Sequence, residues 1–157
     1  MNRLAAAPLT MLALALGLVA CGGGGSDAPT KAEFAADADK VCATAEKNLG
    51  DIGKNATSRA EIAKAVDTVI DETQKSLDDL KALDRPEGSA GEAADKFVSS
   101  LQSDIEDKGI PALEKLRDAL KSNDQKAAQK AARELQAIDS GDTNKLALAA
   151  GAKGCAN

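Results

Sequence analysis

The side chains with chemistry to offer in this 157-residue chain are three cysteines, Cys21, Cys42 and Cys155, and many carboxylates, with one dense run at Asp104-Ile105-Glu106-Asp107. There is no histidine, tryptophan or tyrosine, and only Phe34 and Phe97 are aromatic. The usual general base, the commonest transition-metal ligand and the usual aromatic anchors of binding hot spots are therefore missing. Carboxylates share a helix face only at spacings of three and four, and neither an Asp-x-Asp-x-Asp-Gly loop nor a Glu-x-x-His pair is present. Nor is there a nucleophile elbow, a phosphate-cradling loop or a zinc spacing. The acidic run reads as a solvated face that balances lysines. These residues argue against an enzyme and call for no catalytic residue, cofactor or metal.

Cys21 has the clearest context. Arg3 supplies a positive start, and Leu9 to Val19 is an almost unbroken apolar run too short for a permanent membrane span. The run ends in Leu18-Val19-Ala20-Cys21, followed by Gly22 to Gly25. This order resembles the bacterial lipobox. The resemblance implies that Cys21 carries a thioether-linked diacylglycerol and becomes the new amino terminus. Two acyl chains, each contributing about 0.8 kcal/mol per buried methylene, give stable anchoring where one is marginal. The expected organisation is a signal peptide over 1–20, a flexible tether over 21–29 and a helical domain over 30–157. The expected location is the outer face of a bacterial plasma membrane. Eight tether residues span about 15 Å in the flexible regime, which keeps the domain close to the lipid.

The formal charge of −5 argues against nucleic acid and against attraction to an anionic membrane. The covalent lipid must therefore hold the protein at the membrane. The remaining partners are another envelope protein or a cell-wall component. A non-catalytic binding or structural module follows from these features. The alternative is an extracytoplasmic small-ligand or metal-ion binder with a pocket between helices, where Pro111 opens the third one.

Apolar periodicity predicts an all-α domain. Thr30-x-x-Glu33, Ser58-x-x-Glu61, Ser89-x-x-Glu92 and Ser122-x-x-Gln125 each match the capping box, in which two side chains satisfy helix-start amides reciprocally. They announce helices from about Lys31 to Leu49, Arg59 to Leu83, Ala90 to Leu120 and Asn123 to Ala150. Gly50 is placed to end the first. Gly109-Ile110-Pro111 predicts a kink or brief break in the third, and Gly141 is a candidate break in the fourth. Short connections favour an up-down-up-down antiparallel four-helix bundle.

Outside the cytoplasm, Cys42 and Cys155 can form a structural bridge, a redox-active pair or two buried thiols. The bridge is the reading that such a compartment favours. It would contribute up to about 4–5 kcal/mol through loop entropy. Phe34-x-x-x-Ala38-Asp39-x-x-Cys42, with Gly151-x-x-x-Cys155 near the carboxy end, resembles small helical extracytoplasmic proteins of actinobacteria. The resemblance implies the fold, the disulfide and the location, and implies no activity. Geometry constrains the bridge. A fourth helix unbroken to Ala150 would run about 40 Å, while Cys42 lies about 12 Å into the first helix. Five extended residues reach at most about 17 Å. Either the first helix sits low against the others, using the Gly50–Thr57 loop, or the fourth breaks near Gly141 and turns back. The first is the expectation.

Metabolic labelling with palmitate should mark the wild-type protein and leave Cys21→Ser unlabelled and absent from the membrane fraction. Equal labelling of both would refute the lipobox reading.

Overall fold

The computed structural model describes residues 27–156, so Cys21 and most of the tether lie outside the described residues. Every regular element among the described residues is helical. The order is α1 (Lys31–Asp51), α2 (Arg59–Ala82), α3 (Gly88–Gln102), a π-helical segment (Ser103–Gly109), α4 (Ile110–Lys121), α5 (Gln125–Gln136), α6 (Gly141–Ala150) and a 3-10 turn (Lys153–Cys155). Two of the predicted helices are single elements, the third is continuous through its π segment, and the fourth is divided.

Two of the four capping boxes form. The Thr30 amide and hydroxyl each donate to Glu33 Oε2 at 2.8 Å, and the Glu33 amide donates back to Thr30 Oγ1 at 3.3 Å. Ser58 and Glu61 repeat the arrangement at the start of α2. Donation from the Thr57 and Ser58 amides, together with their hydroxyls, lowers the Glu61 carboxyl to about 2. The other two boxes do not form. Gly88, at φ +62°, completes the turn after Pro86, so α3 starts one residue before Ser89. Ser89 then lies inside the first turn, where its side chain cannot cap. Ser122 ends α4, donating to the Asp118 carbonyl at 2.9 Å, and Asn123 turns the chain at φ +59°. Asp124 therefore caps α5, accepting from the Ala127 amide at 2.9 Å.

Gly50 does not end α1, which runs on to Asp51. At Pro111 the helix neither breaks nor loses continuity. Proline in an α-helix removes a ladder bond and crowds the carbonyl four residues back. Here the Ile110 amide reaches instead to the Ile105 carbonyl, one residue further than in an α-turn. The wider π turn gives the ring room and leaves Pro111 in the first turn of α4.

The hydrophobic interior has two centres. One holds Phe34, Ala38, Leu80, Phe97, Ala147 and Ala152, drawn from α1, α2, α3, α6 and the tail. The second is smaller, with Val66, Ile70 and Ile110 buried among leucines of α4. Polar pairs mark the neighbouring elements. Asn48 donates to Glu72 between α1 and α2, Arg117 and Lys121 of α4 meet Asp67 of α2, and Lys115 of α4 meets Glu134 of α5. Exposed pairs of this kind are each worth at most about 1 kcal/mol. Apolar burial carries the fold.

Cys42 and Cys155, 113 residues apart, are bridged, with Cα atoms 5.3 Å from each other. The reach problem is solved by the option set aside above. After Ala137 the fourth helix stops, and α6 sets off separately along α3. At its end the Gly151 and Ala152 amides donate to the Leu148 and Ala147 carbonyls, at 3.1 and 2.9 Å. This Schellman arrangement needs a left-handed residue, supplied by Gly151 at φ +91°. The chain then turns back over α1.

Gly151→Ala should cost about 1–2 kcal/mol, the left-handed penalty for a residue with a Cβ, aggravated by Ala35 Cβ at 3.2 Å. Gly50→Ala, inside a helix with open space around it, should gain up to about 1 kcal/mol. Chemical denaturation midpoints read both, and opposite signs would contradict this account of the two turns.

Candidate functional site

Between the two hydrophobic centres lies a groove of about 390 Å³, in the size range of small-ligand sites. Its floor is α2, with Leu77 and Leu80 buried and Thr73 and Ser76 half-buried. One wall is the second half of α1, Ala45 and Leu49. The other is Leu101 and Ile105, at the end of α3 and in the π segment, and the tail closes one end at Gly154 and Cys155. The groove follows from how the fourth helix divides. α5 packs on α4 and α6 packs on α3, so neither lies over the middle of α1. Ala45 and Leu49 lie on the apolar stripe of α1, and Leu101 and Ile105 on the apolar stripe that runs from α3 into the π segment. They are half-buried along this opening.

The chemistry of the lining is simple. The side chains are aliphatic apart from Thr73, Ser76, Glu46 and the disulfide sulfurs. The Ser76 hydroxyl is spent on the Glu72 carbonyl at 2.7 Å. Among the described residues no buried side-chain nitrogen or oxygen lacks a partner. Glu46 is the one charged residue on the lining, and it is exposed. Pro111, which sequence reasoning put at the mouth of a pocket, does not line it.

A second cluster surrounds Asp104, which sequence reasoning had assigned to a solvated face. The structure corrects that. Its side chain is only 14% exposed. Lys108 Nζ lies 2.7 Å from one oxygen, and the Thr143 hydroxyl donates to the other at 2.5 Å. Because Thr143 donates there, Ser100 Oγ, 2.7 Å from Thr143 Oγ1, is the donor in that pair. Burial pushes the Asp104 carboxyl up, but the Lys108 ammonium and the Thr143 hydroxyl outweigh it and hold the group below its ordinary value. The cluster joins α6 to α3 and the π segment, and every member has a partner. It is a fastening, with no group left over to meet a substrate. Thr143 carried no sequence signal, since one threonine on an alanine-rich helix is unremarkable. The i,i+4 spacing of Asp104 and Lys108 was the only visible clue.

Of the predicted site residues, Cys21 lies outside the described residues, and Cys42 and Cys155 are joined. The motif residues around Cys42 share one task. Phe34, Ala38 and Cys42, four apart, face the interior and the tail. Asp39 Oδ1 accepts from the Gly154 amide at 2.7 Å. A Cβ on Gly154 would fall 3.1 Å from the Asp39 carboxyl, so glycine suits that position. Among the described residues no three His, Cys, Asp or Glu side chains are grouped to hold a metal ion, and no helix is long and apolar enough to cross a membrane. Compared with family models, with curated proteins and with solved structures, the chain matches none.

Thr143→Val should cost about 1–3 kcal/mol, because it removes a donor from a largely buried carboxylate. It should also raise the Asp104 pKa. The sign follows from linkage: with its folded pKa below the unfolded value, Asp104 stabilises the fold above that unfolded value. The contribution is lost as the pH falls through the folded pKa. Carbon-detected NMR titration of Asp104 in both proteins reads the shift, and an unchanged titration would contradict the assigned hydrogen bond.

Proposed function

We propose that this chain is a lipid-anchored protein of the outer face of a bacterial plasma membrane. It acts there as a non-catalytic binding module, and the groove between α1, α2 and the α3–π segment is its binding site. Its helices form an up-down-up-down antiparallel bundle of four rods, α1, α2, α3 with α4, and α5 with α6. The registers of the polar pairs support that order: Asp67 meets Arg117 and Lys121, whereas Lys81, later in α2, meets Glu106, earlier in the third rod.

The observation that carries the reading is the groove itself, an aliphatic cleft next to the core that the chain does not fill with its own side chains. Each methylene withdrawn from water into such a cleft contributes about 0.8 kcal/mol. The lining favours the small-ligand alternative over a metal-ion role, because it offers a metal at most one carboxylate. The lipobox, the acidic surface and the likeness of the two cysteine motifs to small helical envelope proteins support the location. A neighbouring envelope protein or a cell-wall component remains the expected partner of the polar helix faces.

Thermal unfolding of the full-length mature protein in the presence of aliphatic amphiphiles, calcium and zinc tests the reading. At a hundred times its Kd, a ligand stabilises by about 2.7 kcal/mol, which raises the Tm of a domain of this size by several degrees. Aliphatic amphiphiles should give that rise and the cations should not. A rise with calcium or zinc alone would overturn the assignment.

A further inference from the structure

We infer that the groove accepts one linear aliphatic chain of an amphiphile whose head is a cationic ammonium group, with the head seated at Glu46. This deepens the reading above and rests on the groove being the binding site. Three observations define the ligand.

The first is what the lining lacks. With no aromatic side chain on it, the groove has no face on which a ring would stack. The second is polar satisfaction. Ser76 is committed to Glu72, and no buried side-chain donor or acceptor among the described residues is left without a partner. A polar group pushed into the groove would find at most the Thr73 hydroxyl to replace its water, so the inserted part is mainly hydrocarbon. The third is charge. Glu46 is the only charged side chain on the lining, and it makes no ion pair or hydrogen bond among the described residues. It stands on α1 one helical turn after Cys42, at the mouth rather than the floor. The whole chain adds a net charge of −5. A carboxylate, sulfate or phosphate head would meet repulsion from both, while an ammonium head would gain a partner. The shape agrees: α1 and the α3–π segment form two walls over an α2 floor, a trough that suits a chain better than a compact molecule.

The test uses the full-length mature lipoprotein in its own membranes. Two photoreactive probes share one alkyl chain bearing a diazirine, and differ in a trimethylammonium or a sulfate head. After irradiation, peptide mapping should place the ammonium probe on Ala45–Leu49 and Leu101–Ile105. It should exceed the sulfate probe there by up to about fivefold, the ceiling for one exposed charge contact. Ala45→Trp, which fills the trough, should abolish that labelling. Glu46→Gln, an exposed substitution that leaves the fold intact, should retain alkyl labelling and narrow the gap between the two probes to the part that the net charge supplies. Labelling spread over the surface and indifferent to Ala45→Trp would overturn the alkyl assignment. Equal labelling by both probes in the wild type would overturn the ammonium assignment. In either case palmitate labelling of Cys21 is unaffected, so the anchoring stands or falls separately, and the thermal unfolding series tests separately whether the groove binds amphiphiles at all.

Discussion

The attachment of the carboxy-terminal turn to the first helix is the constraint from which the rest of the structure follows. Three contacts make it: the Cys42–Cys155 bridge, the Gly154 amide on the Asp39 carboxylate, and the burial of Ala152 against the larger hydrophobic centre. A closure across 113 residues removes up to about 4–5 kcal/mol of chain entropy from the unfolded state. Such help matters for a core with two phenylalanines and many alanines. Alanine cores gain little per side chain, and they hold only where backbones come close together. Ala38, Ala94 and Ala147, each fully buried, show that closeness where the tail pins α1 toward α3 and α6.

The same attachment dictates where the packing stops. To reach Cys42, the fourth helix has to end early and α6 has to follow α3. That leaves α5 packed mainly on α4 and the second half of α1 mainly on α2. The π segment adds to the effect. By inserting a wider turn before Pro111, it directs Ile110 into the second hydrophobic centre while Ile105 stays at the opening. The groove is thus the remainder of two local solutions, one for a cysteine that must be reached and one for a proline that must be accommodated. The Ser100–Thr143–Asp104–Lys108 cluster fastens the joint between them.

Much of the helical content could be read from the chain, because apolar periodicity and the Thr30 and Ser58 boxes are local signals. The bridge was legible because the resemblance of the run before Cys21 to a lipobox made an oxidising compartment the expectation. The failures have local causes. Ser89 and Ser122 have the right residue types for capping, but positive-φ turns at Gly88 and Asn123 shift the helix starts. Gly50 looked like a terminator, yet α1 runs on to Asp51 and the left-handed turn falls at Gly53, φ +77°. The division of the fourth helix was visible only as an alternative, since choosing it required knowing where α1 sits. The groove was illegible because half-buried and buried leucines have the same periodicity. Only the position of α5 and α6 distinguishes them.

Hydrogen exchange followed residue by residue, before and after reduction, tests most directly whether the tail holds α1 in place. Reduction should first release the amides of the tail turn and of α1 beyond Asp39, while those between α4 and α5 keep their protection. Uniform loss across all helices, or unchanged protection in α1, would contradict the account.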